Sequence, residues 1–137
     1  MCQKAFGGFY GPLVNIERDA AVTWTRGEPA RYQSSNLVTR GFCAVCGTPL
    51  TYESPEEFAL AIGAFDHPER IEPVIQYGLE SKVPYVDRLP DLPTRTTDMD
   101  SETTAFLKSI HSHQHPDHDT EDWPADAHNE DQERPKR

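Results

Sequence analysis

A Cys-x-x-Cys-Gly turn at Cys43 and Cys46 limits what this chain can fold into more than any other feature. It sits in the run Arg40-Gly41-Phe42-Cys43-Ala44-Val45-Cys46-Gly47-Thr48-Pro49-Leu50 and holds two of the chain's three cysteines. Two thiols at this spacing can face one ion across a tight turn, and a glycine after the second supplies the positive φ by which the backbone leaves it. The same spacing also serves redox pairs, but these sit where a strand runs into a helix. Gly47-Thr48-Pro49 opposes a helix, and Leu50-Thr51-Tyr52 alternates as a strand does. The local pattern therefore favours a zinc knuckle, with a redox pair as the alternative. Since a structural zinc takes four ligands, a knuckle alone is half a site.

The charge is unevenly spread. Of the formal net charge of −10, residues 1–97 carry −3 and residues 98–137 carry −7. The second segment also holds five of the six histidines, which predicts a solvated, disordered acidic tail over 94–137 with one short helix around Phe106, Leu107 and Ile110. The folding unit is then residues 1–93, small enough for a metal to help hold it. Its acidity opposes binding to nucleic acid, and no apolar run approaches a membrane span. Three cysteines close no disulfide set, so a reducing, cytoplasmic setting is expected. The histidines at 111, 113, 115 and 118 invite a metal reading, but flexible surroundings offer no preformed geometry.

Short β-prone runs separated by proline- and glycine-rich turns predict a mainly β, sandwich-like domain. Strands are expected over Phe9 to Ile16, at Ala21 to Trp24, at Ala30 to Ser34, and on either side of the knuckle. A further one is expected over Ile71 to Leu79. Phe58-Ala59-Leu60-Ala61-Ile62-Gly63 is the most apolar run and is expected as the central buried strand, with Tyr85 closing the core. Cys2, close to Lys4 and ahead of Gly7-Gly8, reads equally as a thiolate ligand or reactive thiol and as an ordinary cysteine near a terminus.

Taken with Tyr32-Gln33-Ser34-Ser35, Phe65-Asp66-His67-Pro68 and Ser81-Lys82-Val83-Pro84-Tyr85, the knuckle run resembles the glutathione-dependent formaldehyde-activating enzymes, which share a domain with centromere protein V. The resemblance implies a small zinc-binding domain over residues 1–93. It makes Cys43 and Cys46 half of a structural Cys₄ zinc site. The other half, a Cys-x-Cys-Gly on a first strand, has no counterpart here. Cys2 with Lys4-Ala5-Phe6-Gly7-Gly8-Phe9 matches the last cysteine of a second box, whose three cysteines would hold a catalytic Zn²⁺. The resemblance thus implies an N-terminally shortened chain that keeps Cys2, Cys43 and Cys46 as metal ligands, Cys2 on the catalytic side. The implied activity is that of a carbon–sulfur lyase acting on adducts of glutathione, or another small thiol, with an aldehyde such as formaldehyde. A non-catalytic zinc-binding interaction module is the alternative.

Overall fold

The computed structural model describes residues 1–99 and 101–123. They fall into two compact units, one formed by Met1–Val74 with the described residues from Gln114 onward, the other by Ile75–His113.

The first unit is built on a five-stranded, wholly antiparallel open sheet. Its strands are β1 (Leu13–Ile16), β2 (Ala30–Gln33), β3 (Thr39–Phe42), β4 (Pro49–Glu53) and β5 (Phe58–Ala61), in the order β1-β5-β4-β3-β2. A short helix, α1 (Cys2–Phe6), precedes them. Two tight returns set the registers around the site. Ser35 Oγ accepts from the Leu37 and Val38 N–H groups, closing the turn between β2 and β3 and placing Tyr32 opposite Arg40. Between Gly41 and Phe42 the pairing with β4 slips, so that Phe42 lies opposite Pro49 and Leu50 has no partner. A bulge of this kind bends and re-aims the chain. Here it marks the point where β3 leaves the sheet for the Cys43–Cys46 turn.

Mainly β is therefore correct, but the sandwich-like arrangement reduces to one sheet among the described residues. Phe58–Ala61 is a strand with Ala59 and Ala61 buried, yet the middle of the sheet is β4. Residues 21–24 form no strand, and β1 begins only at Leu13, after Pro12, whose missing N–H cannot join a ladder. The expected strand over residues 71–79 is also missing. Val74, Ile75 and Tyr77 are 94%, 76% and 96% exposed, because β propensity without a neighbouring edge or a buried face gives no strand. The sheet's core is thin. Val38, Ala59 and Ala61 are its buried apolar residues, joined by the polar Arg40 and Thr51.

In the second unit, 3₁₀ turns cover Leu79–Ser81 and Pro84–Asp91, and α2 spans Ser101–Lys108. Val86, not Tyr85, is the buried residue there; Tyr85 is half exposed. No helix among the described residues is long and apolar enough to cross a membrane.

Candidate functional site

Cys43 and Cys46 lie in the closed turn that their spacing predicts. The Cys43 N–H donates to the Thr48 carbonyl at 2.9 Å, the Gly47 N–H donates to the Cys43 carbonyl at 2.8 Å, and Gly47 sits at φ +77°. Any residue with a Cβ would be strained at that φ. Both thiols are free and half-buried. Cys46 Sγ lies 3.1 Å from Thr48 Oγ1. Burial pushes the Cys46 thiol up, but hydrogen bonds from the Thr48 side chain, the Thr48 backbone, the Cys43 side chain and the His115 backbone outweigh it, and the thiol ends below its ordinary value. These bonds favour the thiolate.

The sequence missed one partner of the turn, because the tail was expected in solvent. Thr48 Oγ1 also lies 2.8 Å from Gln114 Oε1, so its single proton is shared between that oxygen and the Cys46 sulfur. Beyond it, Arg26 pairs with both His115 and Asp119, and the His115 and Trp123 rings meet edge to face at 5.0 Å. At least the segment from Gln114 to Trp123 therefore lies on the first unit beside the knuckle. Composition offered no signal for this beyond the lone aromatic, Trp123. The last part of the tail falls outside the described residues.

The Thr48 contact makes a prediction. In a Thr48→Val chain the Cys46 thiolate loses its side-chain donor, so neutral iodoacetamide should label Cys46 more slowly at pH 7 relative to Cys43 in the same molecule. Peptide mass spectrometry reads the ratio. An unchanged ratio would show that the hydroxyl does not stabilise the sulfur.

Cys2 is elsewhere. It opens α1 and is half-buried, with its sulfur accepting a hydrogen bond from Arg40 Nη2 at 3.4 Å. Arg40 stands directly opposite Tyr52 across β3 and β4, so the two share a face, and the guanidinium lies 5.2 Å from the Tyr52 ring centre. Gly41 and Thr51 form the next pair and carry the opposite face; the Gly41 N–H donates to Thr51 Oγ1 at 2.8 Å. The three predicted site residues are thus divided into a Cys43–Cys46 pair and a Cys2–Arg40 pair. Arg40 belonged to the knuckle run by sequence, but only the register with β4 and the placement of α1 give it a role.

The donors available fall short of a complete zinc site. No group of three His, Cys, Asp or Glu side chains that could hold a metal converges among the described residues. The knuckle offers two thiols of the right kind for half of a four-ligand site. Cys2 offers one, with a guanidinium rather than a second donor at its sulfur.

A groove of about 1190 Å³ opens at the other end of β3 and β4 from the knuckle, lined in part by Ile16, Trp24, Val38, Tyr52 and Phe58. Arg18 donates to the Glu56 carbonyl at its rim at 3.0 Å. Tyr52 belongs both to this wall and to the stack with Arg40.

Neither the curated proteins nor the solved structures include a match to this chain. A family model described as glutathione-dependent formaldehyde-activating enzyme does match, over residues 1–80. That span is more than half of the chain and contains α1, the whole sheet, the knuckle and the Cys2–Arg40 pair. The chain belongs to the glutathione-dependent formaldehyde-activating enzyme family.

Proposed function

We propose that this chain acts on adducts between glutathione, or a closely similar thiol, and formaldehyde, as a carbon–sulfur lyase working in either direction. In the forward sense the thiol sulfur bonds to the aldehyde carbon, the carbonyl oxygen takes up a proton, and S-hydroxymethylglutathione results. What a protein contributes to such an addition is placement of the sulfur beside the carbon and a positive environment for the thiolate. The observation that carries this reading is the family match over residues 1–80. The guanidinium of Arg40 beside a half-buried thiol is consistent with it.

Zinc enters as part of the same proposal. Cys43 and Cys46 are the half of a structural clamp that this chain supplies, and further donors would have to come from outside the described residues.

The test is exchange between hydrated formaldehyde and S-hydroxymethylglutathione, followed by ¹³C magnetisation-transfer NMR with the purified full chain, with and without added zinc. Catalysis should raise the exchange rate at least roughly tenfold over the spontaneous one, equivalent to about 1.4 kcal/mol off the barrier. A rate equal to the protein-free control in both conditions would sink the enzyme reading. It would favour a non-catalytic binding module, for which the incomplete donor set and the open groove speak.

A further inference from the structure

The groove at the far end of β3 and β4 from the knuckle has a braced rim. Residues 54–57 close a turn between β4 and β5: the Ser54 N–H donates to the Glu57 carbonyl at 2.8 Å, and the Glu57 N–H donates to Ser54 Oγ at 3.0 Å. A second turn is closed by the Ala20 N–H, which donates to the Glu17 carbonyl at 3.0 Å. Arg18 ties the two turns together through the Glu56 carbonyl. Glu17, Glu56 and Glu57 stand exposed on this frame. None of the three has an ion-pair partner among the described residues. Three carboxylates against one guanidinium leave the rim negative, and a cleft lined by one sign of charge focuses its field.

The walls are apolar and aromatic. Trp24, Tyr52 and Phe58 are half-buried in the groove, and Leu37 beside them is 61% exposed. Tyr52 already meets the Arg40 guanidinium, but no ring or hydrogen-bond partner meets the Trp24 indole among the described residues. The face of a Trp ring attracts an organic cation more strongly than any other side chain's, and the rim carboxylates act in the same direction. At about 1190 Å³ the groove has room for a ligand of ordinary small-molecule size.

The backbone around the groove is already engaged. Beyond the two closed turns, the Val38 N–H donates to Ser35 Oγ, and the Val38 carbonyl accepts from the Ser34 and Ser35 N–H groups. A peptide laid there would find few main-chain partners, so recognition falls to side chains. A glutathione-like thiol, with two carboxylates against one ammonium, is opposed by the rim, which sets this groove apart from the function proposed above.

We propose that the groove binds a small organic ammonium ion with an aryl or alkyl body, the body against Trp24 and Phe58 and the charge towards Glu17, Glu56 and Glu57.

The probes are phenylbutylammonium, phenylbutanol and phenylbutyrate, which share one body and differ in charge. The readout is the ¹H–¹⁵N cross-peak of the Trp24 indole in the full chain, with that of Trp123, the other tryptophan, as internal reference. Trp123→Phe assigns the two peaks. Phenylbutylammonium should shift the Trp24 peak saturably and bind about tenfold more tightly than phenylbutanol, the scale of one cation held at an aromatic face. Phenylbutyrate should bind least. Raising the salt from about 0.02 M to about 0.5 M should shrink the amine's advantage, because exposed charges are screened. The exposed double change Glu56→Gln with Glu57→Gln should remove most of it while leaving phenylbutanol binding as it was.

The wild-type ranking decides by itself. Equal affinity for amine and alcohol, or no saturable shift at Trp24, would overturn the proposal. A Trp24 peak that moves on dilution of the protein alone would assign the groove to a second copy of the chain and overturn it likewise. So would tighter binding of acetyl-phenylalanyl-lysine amide than of the amine, which would assign the groove to a peptide segment.

Discussion

A Gly41→Ala chain is expected to lose about 3 kcal/mol of stability, the upper part of the range for forcing one extra carbon into a packed position. The added Cβ would lie 2.3 Å from Thr51 Oγ1, 3.1 Å from the Pro29 Cβ and 3.3 Å from the Thr51 Cβ. Thr51 has little freedom to yield. It is 4% exposed, it accepts from the Gly41 N–H, and its own hydroxyl donates to Glu53 Oε1 at 2.6 Å. Pro29 is buried and its ring keeps it stiff. The strand would have to move, and Arg40 on one side and the knuckle on the other would move with it. Chemical denaturation measures the loss. A change under about 0.5 kcal/mol, the range of an ordinary surface substitution, would mean that Gly41 and Thr51 are not packed as described.

Thr51→Val should cost about 2 kcal/mol by a different route. The methyl that replaces the hydroxyl leaves the buried Gly41 N–H with no acceptor, a penalty of roughly 1–3 kcal/mol. It also breaks a chain of bonds that runs across three strands, from the Gly41 N–H to Thr51, from Thr51 to Glu53, and from Arg31 Nε to both Glu53 oxygens at 3.2 Å. The Arg31 guanidinium is held above its usual value by its hydrogen bond to and charge interaction with Glu53. That outer pair is too exposed to contribute much by itself. The cost should therefore come from the buried end, and Glu53→Gln should be much milder than Thr51→Val. Because Thr51 is also the obstacle to a Cβ at residue 41, the double variant Gly41→Ala with Thr51→Ala should cost less than its two single changes added together. Strict additivity would show that the two residues do not share one contact.

How far the sequence could be read follows from where each signal is stored. The strands beside the knuckle were legible because their turns are written locally, in Ser34-Ser35-Asn36 and in Cys43 through Pro49. Phe58–Ala61 was legible as apolar, but its rank in the sheet was not, since strand order depends on partners distant in the chain. Ala21 to Trp24 and the run from Ile71 to Leu79 carried the right residue types and form no strand, because the residue types do not supply an edge to pair with. The site divides in the same way. Cys43 and Cys46 sit together as their spacing requires, whereas the contact between Cys2 and Arg40 spans 38 positions and depends on α1, which the reading did not anticipate. Arg40 itself entered the sequence reading only as the first residue of the knuckle run. Its burial shows only when Tyr52 is set opposite it.

The sheet order has a consequence for handling the protein. Among the described residues, β1 and β2 each have a hydrogen-bonded neighbour on one side only. Free strand edges recruit other strands unless charge, proline or irregularity guards them. In β2 the guard is Arg31, with Pro29 immediately before the strand. In β1, Pro12 likewise stands immediately before the strand, but Leu13-Val14-Asn15-Ile16 itself carries no charge. Concentrated solutions are thus most exposed to self-association through this short apolar border, by growth of the sheet from one molecule into the next.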